Sequence, residues 1–277
     1  MTQTQIISVI NQKGGVGKTT TVINLAAGLA LQNKKILVVD LDPQGNATTG
    51  LGLSNSDDSE KTIYAVLNGT RKISDVLKKT QFKNLDLISS NVDLSGLEVE
   101  TAGDSKRAFI LKDQIMAYLK DSSSIYDYIL VDCPPSLSLL TVMALVASNT
   151  LIVPLQTEFF ALEGLTQLMK TIDRIKVNLN SNLKIEGILL TMYDKRNKLS
   201  SQVEKEARDY FKDKVYLTVI PRNVRLSEAP SHGVPVLIYD KSCPGSKSYY
   251  SFTKEFLEKQ KLYDSAAWWI LQKLKKD

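Results

Sequence analysis

The sequence predicts an α/β fold built on a mostly parallel central sheet with helices on both faces. Near-continuous apolar runs, such as Ile36-Leu37-Val38-Val39 and Tyr128-Ile129-Leu130-Val131, alternate with amphipathic segments along the chain. Strands buried on both faces read as unbroken apolar runs, and their alternation with helices points to a parallel sheet. A second observation is the glycine-rich turn Lys13-Gly14-Gly15-Val16-Gly17-Lys18-Thr19-Thr20, set between the first apolar run and the first helical pattern. A third is that aspartates close two of the apolar runs, at Asp40 and Asp132. Ligands of such sheets sit beyond the carboxyl ends of the strands, so these groups are expected in one crevice.

In chain order, the first strand begins at Ile6 and a helix is expected over 21–31. A strand over 35–42 places Asp40 and Asp42 two residues apart on one face, and Asp42-Pro43-Gln44-Gly45-Asn46 turns the chain. A polar stretch over 54–61 reads as a surface loop. Helices at 63–67 and 74–79 lead to a strand at 85–88, then to helices at 94–100 and 107–120. Strands follow at 128–132, 151–154, 185–192 and 215–220, separated by helices at 139–147, 162–177 and 200–211. Pro154 is placed at a strand end. No repeat, low-complexity tract or Gly/Ser linker divides the chain, and one domain is expected over 1–258, with an amphipathic extension over 259–277.

Composition narrows the function. With 277 residues, 43% of them apolar, the chain can build its core without staples. Cys133 and Cys243 form no disulfide framework and no C-x-x-C, which argues against zinc or an iron–sulfur cluster and fits a reducing cytosol. His232, the sole histidine, lies in a Pro-Ser-His-Gly turn and reads as a surface-loop residue, so His-based catalysis is not expected. A net charge of +5 permits contact with a polyanion without requiring it. Neither a signal peptide nor a membrane span is expected, and the Arg-Asp-x₄-Asn loop of protein kinases is missing.

The glycine turn carries the chemistry. Strand, glycine turn and helix wrap backbone N–H groups around a phosphate and aim a helix N-terminus at it. Gly14, Gly15 and Gly17 leave room and permit positive φ. Lys18 supplies charge for the β- and γ-phosphates, and the Thr19 hydroxyl can bind Mg²⁺. Gln12 stands where the standard P-loop pattern has glycine, and a second lysine, Lys13, follows it. Asp132, closing Tyr-Ile-Leu-Val, has the pattern of a carboxylate held near Mg²⁺. Asp40 and Asp42 either cap the following turn or divide between supporting the metal and orienting the attacking water. Cys133 reads as a small strand-end residue.

With these residues assembled, the chain resembles the ParA/Soj group of partition ATPases, which carry a deviant Walker motif and are similar to MinD and the nitrogenase iron protein. The resemblance runs from about Ile6 to about Tyr239. It rests on Lys13–Thr20, on Val39-Asp-Leu-Asp-Pro-Gln-Gly-Asn-Ala-Thr48 and on Val131-Asp-Cys-Pro-Pro-Ser136. Glu158-Phe-Phe-Ala-Leu-Glu-Gly-Leu165 and Pro221-Arg-Asn-Val-Arg-Leu-Ser-Glu-Ala-Pro-Ser-His-Gly233 favour ParA/Soj over MinD. The likeness implies an ATP- and Mg²⁺-dependent ATPase that forms a nucleotide-sandwich homodimer. In it Lys13 reaches the partner's phosphates and Gly14 lies where two backbones meet. ATP is held by residues 13–20, Val16 and Thr20 included, and by Pro221 and Asn223 at the adenine. Asp42 orients water, while Thr19, Asp40 and Asp132 serve the metal.

The likeness also implies non-specific binding of double-stranded DNA in the ATP-bound dimer, through Arg196 and Arg225, with Lys195 and Arg222 beside them. Composition alone reads these as a solvated basic face. Relatives often carry lysine after the His-Gly pair, where this chain has Val234. Few residues precede the first strand, so an N-terminal DNA-reading domain is not expected. A centromere-bound, ParB-type partner and a cytoplasmic, nucleoid-associated location follow from the resemblance. In the extension, Tyr263, Ala267, Ile270, Leu271 and Leu274 share one helical face, with Lys273, Lys275 and Lys276 near its end. That face either docks on the domain or lies at a membrane surface, as in a MinD-like division-site regulator. A metabolic P-loop enzyme acting on a small molecule is the remaining alternative.

Overall fold

The structure is a computed structural model that describes residues 4–54, 60–121 and 126–274, with side chains described as far as residue 261. Its first half contains β1 (Gln5–Val9), α1 (Lys18–Leu31), β2 (Ile36–Asp40) and the short helices α2 (Asn46–Gly50), α3 (Ile63–Leu67) and α4 (Ile73–Val76). Next come β3 (Leu77–Lys79), β4 (Leu85–Ile88), α5 (Leu97–Glu100), α6 (Ile110–Asp121), β5 (Tyr128–Asp132) and α7 (Leu139–Ala147). The second half runs through β6 (Thr150–Gln156), α8 (Ala161–Asn178), β7 (Lys184–Tyr193), α9 (Lys198–Phe211) and β8 (Val215–Pro221). It ends with α10 (Val224–Glu228), α11 (Val236–Tyr239) and α12 (Pro244–Leu274).

The strands form one sheet in the order β3-β4-β2-β5-β1-β6-β7-β8, parallel throughout except for β3. Its two faces are dry, as the apolar runs require. On β2, Leu37 and Val39 join the core under α3, α6, α7 and α8, while Ile36 and Val38 join the core under α1 and α12. Full burial of side chains on both faces, at roughly 1.5–3 kcal/mol each, is what holds the layers. Ser8 is the buried polar residue of β1. It is fully buried and bonds Ser148 Oγ at 2.6 Å, so its hydroxyl is satisfied inside the α7 layer.

Several expectations change in detail. The helix expected over 74–79 stops at Val76, and Leu77–Lys79 forms the antiparallel edge strand β3. Lysines at such an edge discourage pairing with another chain. The expected helix at 94–100 begins as a 3₁₀ turn, Val92–Gly96, and only Leu97–Glu100 is α-helical. β2 ends at Asp40, so Asp42 lies in the following turn and is not a strand neighbour of Asp40. Pro154 lies inside β6. β1 pairs with β6 only as far as Ile152, so the missing N–H of Pro154 breaks no bond on that side. His232 ends a 3₁₀ turn, Ala229–His232, and stacks on Tyr239.

α12 continues unbroken through Glu258 and Lys259, so the extension expected over 259–277 begins within a helix. The apolar face expected from Tyr263 to Leu274 and the lysines beyond it lie outside the residues whose side chains are described. The same holds for the loop expected over 54–61 where it covers 55–59. Among the described residues, no helix is long and apolar enough to cross a membrane.

Candidate nucleotide site

The glycine turn leaves β1 at its carboxyl end and enters α1 at Lys18, three residues earlier than the apolar pattern suggests. Gly15 (φ 74°) and Gly17 (φ 90°) adopt the left-handed conformation that glycine accommodates. Gly14 does not need that freedom. A Cβ there would meet only Pro135 Cβ, at 3.8 Å. The loop is pinned by residues that motif reasoning gave no role. Asn11 Nδ2 donates to the Pro154 carbonyl (2.7 Å), and its Oδ1 accepts the Lys13 N–H (3.0 Å). Thr191, near the end of β7, donates to the Val16 carbonyl (2.9 Å). The next residue, Met192, has φ 51°, a strained backbone for a side chain of this size, and it lines the cleft.

The two lysines of the turn have opposite surroundings. Lys18 is buried, and its Nζ donates to the Lys13 carbonyl at 3.0 Å. Desolvation lowers its pKa, against the pull of Asp132, Cys133 and Asp42. Lys13 is half exposed and forms an ion pair with Glu158, at the start of the loop between β6 and α8. One lysine faces inward, toward the carboxylates; the other stands at the rim.

Asp40 and Asp132 are register neighbours on β2 and β5. Both are fully buried, but their oxygens are used differently. Asp40 Oδ2 accepts from the Thr48 N–H (2.8 Å) and hydroxyl (2.7 Å), and Oδ1 from the Asp42 N–H (3.2 Å). Burial still raises its pKa to about 6, the bonds to Thr48 opposing the shift. Asp132 Oδ1 and Oδ2 have no hydrogen-bond partner among the described residues. Desolvation and then the Asp40 charge raise its pKa well above the usual carboxylate range, against Thr19 and Lys18. An orphaned, buried carboxylate facing a hydroxyl and an ammonium is a fit for a hydrated divalent cation. Asp40, by contrast, is committed to shaping the turn that carries Asp42. Burial and the Asp132 charge push the Cys133 thiol up, which leaves it inert.

Asp42 is buried against Gln44 N–H (3.0 Å) and lines a cleft of about 510 Å³ together with Gly14, Gly15, Gly17, Lys18 and Thr19. A second hollow of about 260 Å³ adjoins it across Gly17, Thr20, Met192 and Pro230, and is lined by Pro221, Arg222 and Asn223. The side-chain amide oxygen of Asn223, Oδ1, is buried there without a partner among the described residues. The larger hollow thus offers a phosphate cradle. The smaller one offers an apolar slot with an unused acceptor, which suits the exocyclic amine of a purine base.

The expected DNA-contacting residues occupy two adjoining loops. Lys195 and Arg196 follow β7, Arg222 and Arg225 follow β8, and those strands are neighbours, with Tyr193 opposite Pro221. The loops therefore share the carboxyl end of the sheet with the nucleotide cleft. Neither Arg196 nor Arg225 is unpaired. Arg196 grips Asp194 through two bonds of 3.1 Å, and Arg225 bonds Glu228 at 2.7 Å and approaches Asp240.

Glycine cradle, inward lysine and orphaned aspartate together define a P-loop nucleotide-binding protein of the deviant Walker type. An AAA-domain family model (AAA_31) matches residues 4–185. The chromosome partitioning protein ParA of Caulobacter vibrioides is 49% identical over 93% of this chain and 95% of its own length. The chromosome-partitioning ATPase Soj of Treponema pallidum is 51% identical over 90% of this chain and 95% of its own. Among solved structures, cobyrinic acid a,c-diamide synthase from Mycobacterium smegmatis, with bound ADP and magnesium, superposes with a TM-score of 0.79 at 34% identity, covering 94% of this chain and 96% of that one. The chain belongs to the ParA/Soj family of chromosome-partitioning ATPases.

Proposed function

We propose that this chain is an Mg²⁺-dependent ATPase that partitions a chromosome or plasmid by cycling between a monomer and an ATP-sandwich dimer bound to DNA. The observation that carries the proposal is the division of labour between two lysines on one loop, Lys18 buried beside Asp132 and Lys13 half exposed at the rim. Lys18 turns from the Lys13 carbonyl to the β- and γ-phosphates, which restore the full charge that burial disfavours. Backbone N–H groups of residues 14–19 bind phosphate oxygens at the start of α1. Bound Mg²⁺ would be held by the Thr19 hydroxyl and, through water, by Asp132, and would neutralise charge on the leaving diphosphate. Asp42 accepts a hydrogen bond from the attacking water. Asp40, through Thr48 and the Asp42 N–H, keeps that carboxylate in place. Pro221 and Asn223 take the adenine. Lys13 of a second copy supplies the remaining cation, so hydrolysis waits for assembly.

Arg196 and Arg225, with Lys195 and Arg222, contact DNA phosphates without reading sequence, and two copies in a dimer double the patch. Each arginine exchanges a carboxylate of its own chain for a phosphate, which keeps the contact weak per subunit. A ParB-type partner stimulates hydrolysis and releases the dimer from a cytoplasmic nucleoid. The test is binding to a duplex of arbitrary sequence with ATP, ADP or no nucleotide, across a salt series. Binding that requires ATP, falls steeply with salt and loses about two units of salt slope with Arg196→Ala, about one for each copy in the dimer, is expected. Equal binding in all three nucleotide states would overturn the proposal.

A further inference from the structure

The loop that joins β6 to α8 opens with Thr157-Glu158-Phe159-Phe160, and it reaches back to the phosphate loop. Glu158 Oε1 forms the ion pair with Lys13 Nζ of the same chain. The carboxylate is carried on a fixed backbone. The Glu158 N–H donates to the Gln156 carbonyl (2.9 Å), and the preceding Thr157 is buried and bonded to Ser200 on α9 (3.1 Å). Next to it, the Phe159 and Phe160 rings meet edge to face at 4.9 Å yet stand 75% and 67% exposed. Two aromatic rings left in water beside an ion pair mark a surface that gains by being covered. On its other side, Lys13 is engaged through its carbonyl by Lys18. Side chain and carbonyl of Lys13 are thus both held within one subunit, and Lys18, the group that must move to bind phosphate, is one of the two holders.

We propose that Glu158 is a positioning residue for Lys13, holding the lysine on its own subunit until a nucleoside triphosphate on a second copy of the chain competes for it. The inference rests on the trans role of Lys13 given above. Nucleotide draws Lys18 away and frees the Lys13 carbonyl. The lysine then exchanges one carboxylate for the denser negative charge of a triphosphate across the interface. A diphosphate, lacking the γ-phosphoryl group, is the poorer competitor, so Glu158 sharpens the difference between ATP and ADP. Both partners of the pair are partly exposed, so its removal is worth about threefold in the assembly midpoint rather than orders of magnitude.

Sedimentation velocity with a non-hydrolysable ATP analogue, ADP or no nucleotide tests this on the full chain, with the affinity for a fluorescent ADP and the melting temperature measured alongside. Glu158→Gln is expected to dimerise with the ATP analogue at about threefold lower protein concentration, with ADP affinity and melting temperature unchanged. Glu158→Asp keeps the carboxylate and is expected to restore the wild-type midpoint. In a Lys13→Ala background, Glu158→Gln is expected to change nothing, because the effect runs through the lysine. A midpoint for Glu158→Gln equal to or above that of the wild type overturns the role of Glu158 while leaving the dimer intact. A wild-type chain that stays monomeric with the ATP analogue removes the trans role of Lys13, and Glu158 falls with it.

Discussion

Asp40, Asp42 and Asp132 are three carboxylates within one crevice, and hydrogen bonding separates their roles. Asp40 spends both oxygens on Thr48 and on the Asp42 N–H, Asp42 faces the cleft from a turn, and Asp132 is buried with neither oxygen bonded among the described residues. Asp42→Ala is therefore expected to keep nucleotide affinity within about twofold, because the phosphate cradle is backbone and Lys18. Hydrolysis is expected to fall by at least 10²-fold, the usual scale for losing a positioned base or water-orienting group. Phosphate release alongside fluorescent-nucleotide binding reads both numbers. The place of Asp132 at the carboxyl end of a buried strand was legible in the sequence, because it closes an unbroken apolar run. The division between Asp40 and Asp42 was not. It depends on Gly45, at φ 63°, returning the chain so that Thr48 meets Asp40. The Lys13–Glu158 pair was equally hidden, since both residues stood within recognised motifs but nothing in either motif says that they touch. Met192 gave no signal at all, because backbone strain is set by the surrounding fold.

At the scale of elements, parallel strands were the most legible feature, since burial on both faces leaves an unbroken apolar run. Short elements were the least. Leu77–Lys79 is only three residues, two of them lysine, and pairing with β4 overrides the helical pattern that precedes it. The packing of α12 on α1 is another tertiary fact without a local signature. Gly28 of α1 faces Thr253 of α12, and a Cβ added at Gly28 would collide with the Thr253 side chain. Gly28→Ala should gain helix propensity of about 1 kcal/mol yet lose roughly 1–3 kcal/mol to overpacking. Net destabilisation in urea denaturation is the expected outcome. Gly28→Ala/Thr253→Ala, which removes the obstruction, should recover most of the loss. A single variant as stable as the wild type would mean that α12 does not pack closely on α1.

At the scale of the whole molecule, the sheet delivers nucleotide cleft, rim lysine and basic loops to the same end. This convergence follows from parallel strands alone, since every loop after a strand emerges on that side. It sets the loops of Arg196 and Arg225 at the same end of the sheet as the cleft, with Lys13 at its rim. In the proposed dimer a lysine from one subunit completes the site of another. Mixing two inactive variants measures this directly. Lys13→Ala keeps an intact Asp42 but offers its partner no lysine, and Asp42→Ala keeps the lysine but cannot orient water. Each alone is expected to hydrolyse ATP at background rate. In an equal mixture, half of the dimers pair the two variants and one of their two sites is complete, so about a quarter of the wild-type rate should return. A mixture that forms dimers with ATP yet stays at background would contradict a lysine acting in trans.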